Sequence, residues 1–220
     1  YQNDRRDRVY GNYGLHITFT PWLKLTGRMG LDFYRMYAEE RSAIGSQAQS
    51  GYVEDVNSNL EINSEFFFTL NKRFSGDIMG VTALLGGNRL DRKYWRNGGE
   101  TAGGLIQPNL YNLSNSLNKA TVYDYHTWKR INSLYANVSL DYNRMVFLEL
   151  TARNDWSSTL PENNRSYFYP SATLSFILTE LDVLKNQDII SFAKIRGGIA
   201  QVGNDTNPYD LQNYVTINST

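Results

Sequence analysis

The feature that most constrains this chain is a two-residue alternation that recurs in about eight segments, joined by connections that are alternately short and long. From Val9 to Phe19 the odd positions read Val9, Gly11, Tyr13, Leu15, Ile17 and Phe19, while the even ones read Tyr10, Asn12, Gly14, His16 and Thr18. Side chains of a strand point to opposite faces with period two, so one face of this segment is apolar and the other polar. Such strands, with tight turns at one end and long loops at the other, predict the wall of an antiparallel transmembrane β-barrel.

The same pattern continues along the chain. Leu23, Leu25, Met29, Leu31 and Phe33 oppose Lys24, Thr26, Arg28 and Asp32 after a tight turn at Pro21-Trp22. Leu60, Ile62, Phe66, Phe68 and Leu70 oppose Glu61, Asn63, Glu65 and Thr69, and a short turn over 72–76 leads to Met79, Val81, Ala83 and Leu85. Leu134 to Tyr142 and Val146 to Asp155 form two further strands around Asn143-Arg144, with Glu149, Arg153 and Asp155 on the polar side. Segments near 171–178 and 191–202 complete the set, separated by a turn over 180–190 that carries one helical turn. Three aperiodic stretches, 38–57, 89–127 and 156–167, read as the long loops, and a fourth begins at Gly203. The expected strands of about 10–13 residues suit a tilted membrane crossing better than the 5–6 of soluble strands.

Composition is compatible with this. The mean hydropathy of −0.49 looks soluble, yet only alternate strand residues of such a barrel meet lipid. No run of about 18 apolar residues exists, which excludes a membrane helix. With 22 basic and 22 acidic residues the formal charge is zero, so nothing points to nucleic acid. There is no Cys, hence no disulfide and no thiolate metal site. The 16 tyrosines outnumber the 10 phenylalanines, which suits membrane-interface girdles or sugar-contacting surfaces. The chain opens at Tyr1 with neither initiator Met nor signal peptide and reads as an internal part of a longer protein.

Three stretches stand out: LTARNDWSSTLPENNRSYFYPSATLSF over 150–176, IRGGIAQVGN over 195–204, and GLIQPNLYNLSNS over 104–116. In content, order and spacing they resemble the SusC/RagA family of TonB-dependent outer-membrane transporters. The resemblance implies that the eight strands form an arc of a barrel of about 22 strands with a plugged lumen, residues 1–220 being part of one barrel domain. It further implies energised import of a glycan or peptide through a bacterial outer membrane, long loops outside, with a SusD-like surface lipoprotein as partner. Plug, TonB-contacting region and C-terminal strands are absent from the sequence as it stands, so the TonB complex would be reached through parts not present here.

Candidate residues follow from placement. Lys24, Arg28, Asp32, Glu61, Glu65, Glu149, Arg153 and Asp155 are expected to line the lumen. Tyr94, Trp95, Tyr111 and Trp156, read as loop aromatics, are candidates for substrate or partner contact, and Trp128, near a strand start, for the girdle. Enzymatic chemistry finds no support: His16 and His126 lie on different segments without metal-ligand spacing, and an isolated imidazole lacks an orienting partner. Asp4, Asp7, Glu39 and Glu40 read as solvated carboxylates. Gly86-Gly87 and Gly197-Gly198 lack the Lys-Ser/Thr ending of a phosphate loop and read as strand ends or close-packing points. No cofactor, metal or catalytic residue is therefore expected. A soluble extracellular β-sandwich that binds glycans, or a passive porin, are the alternatives.

Overall fold

In a computed structural model that describes residues 1–184, 190–203, 206 and 208, the chain forms one eight-stranded sheet in sequence order. The strands are β1 (Gln2–Thr20), β2 (Leu23–Ser42), β3 (Gly51–Phe74), β4 (Met79–Leu105), β5 (Ser116–Tyr142), β6 (Val146–Ser157), β7 (Ser166–Ile177) and β8 (Lys194–Ala200). Sequential neighbours pair throughout, an up-and-down meander whose edges are β1 and β8. A sandwich needs two sheets packed face to face; here every strand belongs to one.

The register of β5 to β8 shows how alternation becomes a two-faced wall. Leu140, Leu148 and Leu174 are successive partners across β5, β6 and β7, as are Val138, Leu150, Ala172 and Ile199 across β5 to β8. The intervening rows are polar: Asn137, Thr151 and Ser171 in one, Ser139, Glu149 and Thr173 in the next. The only buried hydrophobic residues among those described are Tyr52 and Leu105. Phe66, Leu85, Leu134 and Leu174 are each more than half exposed. A soluble domain of this size buries an apolar core, so an apolar face left uncovered by protein is the arrangement of a wall that meets lipid.

Strand lengths depart from the sequence-based expectation. β3, β4 and β5 contain 24, 27 and 27 residues, whereas about 9–11 tilted residues cross a bilayer. At about 3.3 Å per residue the longest of them run to about 90 Å. The stretches 38–57 and 89–127, expected as loops, are mostly strand, and the true connections are residues 43–50 and 106–115. Likewise the third loop is residues 158–165, not 156–167. The physical reason is that away from the membrane neither face must be apolar, so the pairing continues without the alternation that revealed it.

Connection parity holds for six connections and fails at the seventh. The strand pairs β1–β2, β3–β4 and β5–β6 are joined by turns at 21–22, 75–78 and 143–145. At the last of these Asn143 and Arg144 both adopt the left-handed region, with φ of 51° and 54°, the conformation of a two-residue hairpin turn that matches strand twist. Between β7 and β8, by contrast, the described residues 178–184 and 190–193 alone outnumber those of any other connection, and they open with a single 3-10 turn at Leu178–Glu180. Much of the expected helical turn at 180–190, Asn204 of the third motif, and most of the segment after Gly203 lie outside the described residues.

The contacts divide into two compact units. One comprises Tyr1–Asn12, Gly30–Ile62 and Asp91–Lys129, the other Tyr13–Met29, Asn63–Leu90 and Arg130–Thr220.

Candidate functional site

Within the second unit, one face of the sheet carries a hydrogen-bonded ionic lattice. Arg28 of β2 donates from Nε to Glu65 of β3 at 3.0 Å, and Tyr135 of β5 donates to the other oxygen of Glu65 at 2.6 Å. Arg153 of β6 donates to Asp155 at 2.7 Å and to Ser133 of β5 at 2.9 Å. Asn137 donates to Glu149 at 2.8 Å, and the His16 ring meets the Thr26 hydroxyl at 3.0 Å. Except for Tyr135 and Glu65, which lie two strands apart, each partner is on a neighbouring strand or two positions along the same strand, where period two returns side chains to one face.

Glycines of β4 let this lattice reach past a nearest neighbour. β4 lies between β3 and β5, and a Cβ on Gly86 would stand 2.8 Å from the Tyr135 ring. With no side chain there, the tyrosine crosses the strand to Glu65. Gly80 does the same for Arg73 of β3 and Asp141 of β5, which form a bidentate pair with both bonds at 3.0 Å. Arg73 and Arg144 also pair with Asp77, so the two adjacent turns share one ionic cluster.

The first unit repeats the arrangement with more aromatic rings. Arg8 donates from Nε to Asp32 at 2.9 Å, Arg92 to Glu61 at 2.9 Å and Arg96 to Asp55 at 2.9 Å. Guanidinium groups also lie over rings: Arg6 over Tyr34 at 4.1 Å, Arg8 over Tyr10 at 5.3 Å and Arg96 over Tyr123 at 4.9 Å. Tyr94 donates to Asn57 at 2.8 Å and meets Tyr125 edge to face. Because each arginine has a carboxylate or a ring beside it, this surface offers hydroxyls and aromatic faces without a strong net field.

A separate polar cluster sits at the long-loop ends of β2 and β3. Glu39 is buried and accepts from Arg41 at 2.9 Å, from Tyr37 at 3.3 Å and from Tyr52 at 3.4 Å. The Arg41 bond holds the Glu39 carboxyl below the ordinary glutamate value despite burial. Burial and the Tyr37 hydrogen bond push the Tyr52 phenol up.

The eight charged residues expected on the polar face thus divide by contact. Arg28 and Glu65 meet directly, Arg153 meets Asp155, and Asp32, Glu61 and Glu149 meet Arg8, Arg92 and Asn137. Lys24 is an exposed β2 residue with the same parity as Arg28. Of the aromatic candidates, Tyr111 alone lies in a connection, where Arg41 approaches its ring to 5.4 Å. Tyr94 and Trp95, read from sequence as deep in a loop, are consecutive residues of β4 and point to opposite faces. Trp156 belongs to β6, with a parity opposite to Arg153 and Asp155. The sequence reading did not single out Tyr135, Arg8, Arg92 and Arg96; their even or odd placement relative to Glu65, Asp32, Glu61 and Asp55 was the available signal.

Comparison with known proteins places this geometry. No family model matches the chain. TonB-dependent receptor P39 of Formosa agariphila is 29% identical over 161 residues, covering 69% of this chain and 15% of that protein. TonB-dependent receptor P3 of the same organism is 25% identical over 174 residues, covering 77% and 16%. The RagAB peptide transporter superposes with a TM-score of 0.77 at 15% identity, over 90% of this chain and 23% of that one. The RagAB peptide importer in its open-open state gives 0.75 at 18% identity, over 99% and 25%. The chain therefore spans about a sixth of the length of these curated relatives.

Proposed function

We propose that this chain, similar in sequence to TonB-dependent receptors and in fold to RagAB, is of the SusC/RagA type and is part of the barrel wall of an energised nutrient importer. Residues 1–220 belong to one barrel domain in this reading, an arc of a larger barrel. The polar face, including Lys24, Arg28, Asp32, Glu61, Glu65, Glu149, Arg153 and Asp155, lines the lumen. The apolar face meets membrane lipid, and the ends bearing residues 43–50, 106–115 and 158–165 face the exterior. The cargo is a glycan or a peptide; a SusD-like lipoprotein acts at the outer mouth, and the TonB complex supplies energy. Tyr94 and Tyr111 are proposed contacts for substrate or lipoprotein, and Trp95 and Trp156 for the lipoprotein or the membrane interface.

The observation that carries this reading is a single sheet with a paired ionic face, an exposed apolar face and, among the described residues, almost no buried hydrophobic one. The ionic face suits a wet lumen, where pairing keeps each charge from binding cargo irreversibly, and rings and hydroxyls remain for transient contact. Uptake of labelled oligosaccharides and peptides by cells expressing the full chain tests it. Uptake should stop when TonB is deleted or the proton gradient is collapsed. Uptake that persists under both conditions would mean a passive pore.

A further inference from the structure

On the polar face of the second unit, four residues of β6 and β7 make a square. Arg153 and Asp155 stand two positions apart on β6, and their register partners on β7 are Tyr169 and Tyr167. All four therefore share one face. The two tyrosine rings are nearly parallel, 12° apart in plane with centroids separated by 6.4 Å, close to the two-residue repeat of a strand. With Ser157 and Gly203 among its other walls, the square bounds a pocket of about 310 Å³. A Cβ on Gly203 would lie 3.0 Å from the Tyr169 ring, so the chain just past β8 runs against that ring and closes one side. Neither tyrosine has a role in the import reading.

The pocket presents polar atoms without net charge. Arg153 donates from Nε to one oxygen of Asp155 at 2.7 Å and from Nη2 to Ser133 at 2.9 Å, so the two charges cancel locally and favour neither an anion nor a cation. Among the described residues, Arg153 Nη1, the other Asp155 oxygen and the Tyr167 hydroxyl take no further hydrogen bond. Ser157 and Tyr169 have further contacts within the chain and act as walls. A donor, an acceptor and a hydroxyl beside an aromatic face complement a sugar ring. Each sugar hydroxyl both donates and accepts, and the C–H face of the ring lies against the electron-rich face of a tyrosine. An extended peptide is a poorer occupant: β6 and β7 are interior strands whose backbone groups pair with their neighbours, so a peptide finds no row of main-chain partners there.

We propose that this pocket is a subsite on the barrel wall for one ring of an uncharged glycan. The sugar face lies against Tyr167, and two adjacent hydroxyls pair with the second Asp155 oxygen and with Arg153 Nη1. The volume is at the small end of ligand pockets and suits a single ring. That the ring is held in transit rests on the import reading, whose cargo it narrows to an uncharged glycan; the pocket itself is independent of that reading.

The full-length protein, held in a detergent without a sugar headgroup and applied to an array of immobilised uncharged, uronate-containing and sulfated oligosaccharides and short peptides, tests the site. Uncharged oligosaccharides should bind best. For the best of them, Tyr167→Ala and Asp155→Asn should each weaken binding about tenfold. Tyr167→Phe, which keeps the ring, should weaken it less. Phe168→Ala, on the same strand with the opposite parity, should leave binding unchanged. Heat-modifiable gel migration verifies that each variant is a folded barrel, and Asp155→Asn carries the test if Tyr167→Ala is not. Preference for charged saccharides or for peptides, no binding of uncharged saccharides, or binding as tight in the folded Tyr167→Ala or Asp155→Asn variant as in Phe168→Ala would each overturn the proposal. Uptake of the best-bound saccharide that survives deletion of TonB, with these binding changes intact, would instead count against the import reading alone.

Discussion

Tyr135 of β5 donates a 2.6 Å hydrogen bond to Glu65 of β3, passing over Gly86 of the strand between them. A Cβ at Gly86 would also come within 2.6 Å of the Phe66 carbonyl oxygen and the Phe67 Cβ. Those are backbone-anchored atoms that cannot swing aside, so the glycine sets both the cross-strand bond and the local approach of β3 to β4.

Gly86→Ala should therefore destabilise the folded barrel by about 1–3 kcal/mol, the range for overpacking a fitted site. Gly11→Ala, where the new methyl meets nothing within 4 Å, should be neutral or stabilising by up to about 1 kcal/mol, because alanine loses less backbone entropy. Urea midpoints of the refolded protein in detergent measure both. Equal shifts would show that Gly86 is not a packing constraint.

Gly80 gives a softer version of the same relationship. Its added Cβ would fall 1.9 Å from the Asp141 carboxylate and 2.6 Å from the Arg73 guanidinium, both ends of flexible side chains. Gly80→Ala should displace the pair rather than the backbone, costing about 0.2–1 kcal/mol. Combining it with Asp141→Asn should cost little more than Gly80→Ala alone, since both changes break one interaction. Full additivity in a double-mutant cycle would disprove the coupling.

These two glycines mark what could and could not be foreseen from sequence. Gly86-Gly87 reads as a strand end or a close-packing point, because glycine interrupts alternation and the next residues are polar; the close packing is what the fold shows at Gly86. In the fold it is the interior of a 27-residue strand. The membrane-crossing rows, such as Leu140, Leu148 and Leu174, were legible since lipid forces every second residue to be apolar. Beyond the bilayer that constraint disappears, so Tyr94 and Trp95 looked like loop residues while lying in a continuous ladder. The ion pairs were half legible: parity puts Arg28 and Glu65 on polar faces, but their meeting depends on a register set by turn geometry and backbone pairing.

The long strands lead to a labelling pattern on intact cells. With the orientation proposed above, a cysteine at Ser46, in the connection after β2, should react with a membrane-impermeant maleimide. A cysteine at Glu100, well up β4, should react too despite lying in a strand. A cysteine at Lys72, beside the turn after β3, should react only once the outer membrane is permeabilised. Labelling at Lys72 alone would reverse the orientation.

The Glu39 cluster, far along β2 from the Pro21-Trp22 turn and outside the bilayer, should respond to acid. Its carboxyl is held below the ordinary 4.5 chiefly by the Arg41 hydrogen bond, with further bonds from Asn3 and Tyr37. A carboxylate with a depressed folded value stabilises in full above its unfolded value, and that contribution disappears as pH falls through the folded one. The cluster should thus hold at pH 5 and above and loosen progressively below about 4.5. Since Tyr52 and Tyr37 bond to the same carboxylate, its protonation frees the adjoining connection at 43–50. An acid-active protease such as pepsin should then nick that connection faster as pH drops from about 4.5 to 3. Arg41→Gln removes the main stabiliser of the charge, so in this variant the onset of nicking should move to higher pH. An onset unchanged by Arg41→Gln would show that another carboxylate controls the opening.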